Sequence, residues 1–126
     1  MESICVLKDI YKALYQFEKD FSNLHHITIN EAMLLCCLKE GDCKTASNLC
    51  EYIGLSNSRV SKIITSVENK GFIDRKISEE DKRQMLFWLT ETGKEKVAHM
   101  QSSDLNIDPL YTQLRACIQR MDGLDD

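Results

Sequence analysis

At Gly71 the hydrophobic period of this chain changes from helical to roughly two, and that change limits the folds open to it. Upstream, Val60, Ile63, Ile64 and Val67 recur at i, i+3, i+4 and i+7, the spacing of one buried helix face. Downstream, Met85, Phe87 and Leu89 alternate, as a strand with one face on a core does. Helices that lead into a short ribbon are therefore expected. The single proline, Pro109, and only five glycines favour long helices over a turn-rich all-β fold. With 126 residues, 43% hydrophobic and 29% charged, the chain suits one structural domain overall and is too apolar for a disordered segment. The expected class is mostly α with a small β-ribbon wing.

The first segment reads as an amphipathic helix, with Ile4, Leu7, Tyr11 and Leu14 on one stripe and Ile10, Phe17 and Phe21 beside it. A polar loop is expected from Ser22 to His26. Thr28-Ile29-Asn30-Glu31 is a capping box, with Ile27 and Ala32 placed for a hydrophobic staple. The second helix runs through Leu34, Leu35 and Leu38 and stops at Gly41. A third spans Thr45 to Ile53, with Gly54 as its stop. Ser56 is the N-cap of a fourth, Asn57 to Lys70, ended by Gly71. Strands follow at Phe72–Ser78 and Met85–Thr90, joined by the charged run Glu79 to Gln84. A helix restarts at Thr90 or Glu91. The last follows Pro109 and ends near Met121, leaving an acidic tail, Asp122 to Asp126, that frays.

No apolar run approaches the roughly 20 residues that span a bilayer, and Met1 to Cys5 lacks the features of a signal peptide. A cytoplasmic location is the expectation. The six cysteines then read as reduced thiols, and without a Cys-x-x-Cys pair they suggest neither a zinc knuckle nor a redox motif. The net charge of −4 argues by itself against nucleic acid, but its distribution does not. Between Arg59 and Arg83 seven bases meet five acids, a net of +2, so the remainder carries −6. A basic centre between acidic ends suits a module that meets phosphates on one face.

Two short helices joined by Ile53-Gly54-Leu55-Ser56, with a ribbon directly after, form a winged helix-turn-helix. In that geometry the fourth helix enters a major groove of duplex DNA. Its polar face presents Asn57, Ser58, Arg59, Ser61, Lys62 and Thr65 without an acid. Asn57, Ser58 and Arg59 lie nearest the bases, and the Arg59 fork matches a guanine edge. Ser61, Lys62 and Thr65 are placed for phosphates. The ribbon tip, with Lys82 and Arg83, can reach an adjacent minor groove.

These residues resemble the MarR (multiple antibiotic resistance regulator) family of transcription regulators. The match is carried by Asp81-Lys82-Arg83, then Leu89-Thr90 and Gly93, and upstream by Leu49 to Ser56, Val60-Ser61-Lys62 and Gly71 to Arg75. It covers residues 28–94 well and the flanking helices in outline. Two departures stand out: Ser66 replaces an arginine that many members carry, and the wing lacks the usual proline. The resemblance implies a repressor that binds a pseudo-palindromic operator as a homodimer through N- and C-terminal dimerisation helices. Residues 1–27 would supply one part of that interface, with Ile4, Leu7, Tyr11 and Leu14. Residues 95–126 would supply the other, with Leu114 and Ile118. It also implies that Arg83 enters the minor groove with Asp81 orienting it. A small aromatic or lipophilic effector would bind near Tyr15, Phe17 and Met33 and relieve the binding.

Competing readings of single residues are mostly structural. Cys50 replaces the family's usual alanine and reads as a small buried hydrophobe. Cys36 and Cys37 point about 100° apart on one helix, so at least one belongs to the core. His25-His26 with Cys36 or Cys43 fits no metal-ligand spacing, and neither metal nor cofactor is expected. Cys5, with Tyr11 and Tyr15 downstream, is the candidate redox residue, as in peroxide-sensing members of the family. Trp88 faces away from the strand's buried side, as a lid or a partner contact. No catalytic motif is present, so an enzyme is not expected. The alternatives are a winged-helix protein-interaction module without DNA binding and a cysteine-based redox regulator.

Overall fold

The computed structural model describes residues 2–102 and 107–124. In chain order the elements are α1 (Glu2–His25), α2 (Ile29–Cys37), β1 (Lys44–Thr45), α3 (Ala46–Ile53), α4 (Asn57–Asn69), β2 (Ile73–Ile77), β3 (Met85–Leu89), α5 (Glu91–Ser102) and α6 (Asp108–Leu124). They divide into two compact units, α1 with α6 in one and everything from Thr28 through α5 in the other. The mostly helical winged fold is the one the sequence leads one to expect.

In the first unit α6 packs along α1. Cys117 is buried there, and Arg120 bridges the two helices through Asp9 at 3.0 Å. Ile4, Leu7, Tyr11 and Leu14 remain exposed on α1, Ile4 at 63%, and Ile118 is exposed on α6 with Leu114 half-buried. The loop expected at Ser22–His26 is instead the end of α1. The Phe21 and His25 rings, one turn apart, pack at 4.6 Å and keep the helix going. It ends only where His26 turns to φ 61°. The α6 helix also continues past Met121 to Leu124, while Asp125 and Asp126 lie outside the described residues.

The second unit is a three-helix core under a small antiparallel sheet of order β1-β3-β2. Leu34, Leu35 and Leu38 pack with Leu49, Val60 and Val67, while Ile73, Phe87 and Leu89 close the sheet side. Regular α2 ends at Cys37, earlier than expected, because Leu38 and Lys39 donate to carbonyls three residues back, Leu35 and Cys36. Those tighter bonds use up the final carbonyls before Gly41 completes the turn. β1 was not expected. Its two residues pair with Phe87 and Leu86 and are too few to show a period.

The Leu89-Thr90…Gly93 pattern has a local explanation. Thr90 donates from its hydroxyl to the Gly71 carbonyl at 2.6 Å, while the same oxygen accepts from Gly93 N–H at 3.0 Å. It thereby caps α5 and ties it to the end of α4. A Cβ on Gly93 would collide with the Phe72 carbonyl oxygen, so only glycine lets the strand approach so closely.

The contact that fixes α4 is buried. Glu31, 3% exposed, completes the capping box by accepting from Thr28 N–H at 2.8 Å. Its other oxygen accepts from Ser66 Oγ and Lys70 Nζ, each at 2.7 Å. Burial alone pushes the carboxyl pKa up, but the Lys70, Thr28 and Ser66 hydrogen bonds outweigh it and hold the group below the usual glutamate range. Such a depressed folded pKa adds stability that is complete above the unfolded value, about 4.3, and is lost as pH falls through the folded one. Lys70 is 39% exposed, so water screens part of the pair. Glu31→Ala is therefore expected to cost about 2–3 kcal/mol, less than a fully buried pair would. Denaturant titration at neutral pH measures this, and the gap between variant and wild type should narrow in acid. A cost under about 0.5 kcal/mol, the size of an exposed pair, would show that the cluster does not hold α4.

Candidate nucleic-acid interface

The turn between α3 and α4 follows from two residues. Gly54 adopts φ 80°, which a side chain would resist, and its N–H donates to the Cys50 carbonyl at 2.8 Å. Ser56 then caps α4, its Oγ accepting from Arg59 N–H at 3.3 Å. Val60, Ile64 and Val67 face the core. That orientation leaves Asn57, Ser58, Arg59, Ser61, Lys62 and Thr65 exposed together, as the sequence pattern requires. Thr65 donates its hydroxyl to the Ser61 carbonyl at 3.1 Å, so its donor is spent on its own helix.

The wing between β2 and β3 is closed by backbone bonds, Ser78 N–H to the Gln84 carbonyl and Gln84 N–H to the Asp81 carbonyl, both at 2.9 Å. Within it Asp81 accepts from the Arg83 backbone N–H at 3.0 Å and from Nε at 3.1 Å. Those two bonds, the side-chain one first, hold the Asp81 carboxyl below its ordinary range. The Arg83 side chain is still 91% exposed, so it is oriented without being covered. Lys82 beside it is exposed too.

Helix and wing share one groove of about 600 Å³. Asn57, Ser58, Ser61 and Thr65 line one side of it, and Arg83 the other. Sequence reasoning missed Arg75, which lines the same groove. Its pairing opposite the inward-facing Phe87 puts it there, and Glu68 holds it at 2.9 Å. A period-two count along β2 from the buried Ile73 could have placed it. Ser66, noted as a departure from the family, is occupied with Glu31.

Cys50 is half-buried and not the inert hydrophobe expected. Its thiol donates to Asn57 Oδ1 at 3.0 Å, a contact that seven residues of separation across a turn do not announce. Cys37 is buried, and burial pushes its thiol pKa up despite nearby Lys44. Cys5 is exposed, and Tyr11 and Tyr15 stack on each other at 6.1 Å. Tyr15 and Met33 are exposed and Phe17 is half-buried. Trp88 is half-buried under Lys76, whose Nζ lies 5.9 Å from the ring centre. Among the described residues, no group of three His, Cys, Asp or Glu could hold a metal ion.

Known proteins share this fold. Residues 27–85 match the MarR family model. Over 90 residues the chain is 30% identical to YdcH, an uncharacterized HTH-type transcriptional regulator of Bacillus subtilis. That alignment takes in 71% of this chain, which spans only 58% of the relative. AbsC, a MarR family transcriptional regulator from Streptomyces coelicolor, is 28% identical with a TM-score of 0.66, over 91% of this chain and 74% of AbsC. MepR of S. aureus in a DNA complex shares the fold, with a TM-score of 0.62 at 19% identity over 94% and 92% of the two chains. Over residues 27–85, from the capping box into the wing, this chain is similar to the MarR-family winged helix-turn-helix proteins.

Proposed function

We propose that the chain is a transcription regulator that binds double-stranded DNA sequence-specifically, as a homodimer on a pseudo-palindromic operator, and acts as a repressor. The observation that carries the proposal is the acid-free, exposed face of α4 set across one groove from an oriented Arg83. Asn57, Ser58 and Arg59 read base edges from the first turn, while Ser61 and Lys62 meet phosphates, and Thr65 joins them by turning its hydroxyl away from the Ser61 carbonyl. Lys82 and Arg83 reach the adjacent minor groove, with Asp81 orienting the arginine. The MepR–DNA complex supports the reading as a protein of the same fold seen on DNA.

Dimerisation uses Ile4, Leu7, Tyr11 and Leu14 with Leu114 and Ile118, because an exposed apolar face of this kind is rarely left to solvent. A homodimer of the 14.5 kDa chain sediments at about 29 kDa at micromolar concentration. A monomer there would remove the two-half-site mechanism. A small aromatic or lipophilic effector releases the operator by an expected coupling of roughly 1–3 kcal/mol. Phenolic compounds should then weaken operator binding, and a panel that leaves affinity unchanged would rule the effector out.

DNA titrations separate the reading groups. Arg59→Ala is expected to cost about 1–3 kcal/mol on the preferred operator and to relax selectivity at one position per half-site. Lys62→Ala should weaken all sequences alike and make the salt slope shallower by roughly 0.9 for each phosphate left without its lysine, doubled in a dimer. Arg83→Ala should lose more affinity on sites with A·T-rich flanks than on G·C-rich ones. Asp81→Ala should reproduce part of that loss. If all four variants bind as wild type does, the basic face is only solvated surface and the proposal fails.

A further inference from the structure

Cys50 is used twice at the turn between α3 and α4. Its carbonyl accepts from Gly54 N–H at 2.8 Å and closes α3. Its thiol crosses the turn and donates to Oδ1 of Asn57, the first residue of α4, at 3.0 Å. Asn57 is exposed, and its amide makes no other hydrogen bond among the described residues. A free primary amide at such a place turns over about its last torsion and presents its oxygen or its NH2 with similar ease. A neutral thiol breaks that symmetry, since its proton seeks the amide oxygen. The NH2 group, with its two donors, is then left for a ligand.

We propose that Cys50 is a positioning residue for base reading, fixing the Asn57 amide so that α4 offers hydrogen-bond donors at this point. The inference rests on the DNA-binding function proposed above. In the major groove guanine displays two acceptors, N7 and O6, where cytosine displays the N4 donor. An NH2 group held outward favours guanine and rejects cytosine. An amide free to turn over can accept from cytosine N4 instead, and the distinction weakens. Cys50 thus contributes to specificity without reaching the DNA itself.

Selection of bound duplexes from a random pool by the full-length wild type and by Asn57→Ala locates the half-site position that Asn57 reads. Guanine and cytosine are then compared at that position for wild type, Cys50→Ala and Cys50→Ser. Wild type should prefer guanine. Cys50→Ala should cut the guanine-over-cytosine ratio by roughly 3- to 10-fold, the worth of one modest hydrogen bond, chiefly because cytosine binds better. Cys50→Ser keeps a donor and should restore the preference, and in an Asn57→Ala background Cys50→Ala should change nothing. Melting temperatures report folding separately, and a purely packing role would weaken both duplexes alike. The inference is overturned, with DNA binding intact, by an unchanged ratio in Cys50→Ala, by equal loss on both duplexes, or by Asn57→Ala selecting the wild-type sequence. A wild type that binds no duplex overturns the proposed function first.

Discussion

The Glu31 carboxylate sits where the start of α2 meets the far end of α4, and the geometry of the winged unit depends on it. One side chain completes the capping box on Thr28 and takes hydrogen bonds from Ser66 and Lys70 across the core. A buried charge with too few partners would be destabilising, so all three donors are needed to hold the carboxylate there. Apolar contacts through Val60, Ile64 and Val67 hold α4 to the core but allow it to slide or roll. Directional bonds at Ser66 and Lys70 remove that freedom. They also use the last turn of α4, and among the described residues the exposed polar side chains from Asn57 to Lys62 make no internal hydrogen bond apart from the Cys50 contact.

The wing is tied to the same frame. Thr90 fastens the start of α5 to the Gly71 carbonyl through its hydroxyl and to the Phe72 carbonyl through its N–H, with Gly93 leaving room for the approach, and β2 starts at the next residue, Ile73. The end of α4, the root of the ribbon and the start of α5 therefore meet within a few residues. That junction makes the separation between α4 and Arg83 a property of the fold. A net acidic chain can in this way display a face without acids, because the acids lie elsewhere or are paired inward, as Glu68 is with Arg75.

Much of this was legible from sequence because it is local. Capping residues and helix-ending glycines act within four residues, so Thr28/Glu31, Ser56 and Gly54 placed α2, α3 and α4 closely. The period of two put Phe87 and Leu89 inside. What escaped depends on neighbours distant in sequence or on residues too few to make a pattern. β1 has two residues and exists because β3 offers an edge. α1 continues through a polar stretch because tilted rings at Phe21 and His25 pack one turn apart. Ser66 and Lys70 meet Glu31 across 35 and 39 residues. Cys50 looked apolar because a thiol usually is, and only the folded turn brings Asn57 to it.

Arg83 and Asp81 show why an exposed ion pair can matter while adding little stability. An arginine at a ribbon tip would sample many rotamers, and ordering it on contact would cost about 2 kcal/mol of side-chain entropy. Asp81 meets part of that cost beforehand by accepting from both the backbone and the side chain of Arg83. Such a solvent-exposed pair is weak, enough to bias the rotamer and too little to trap it. A deeper pair would compete with phosphates for the guanidinium. The 91% exposure of Arg83 fits a side chain that is aimed and still available. On this view Asp81 acts on association through the order it imposes on Arg83, and its own charge stays a small repulsive term that salt screens.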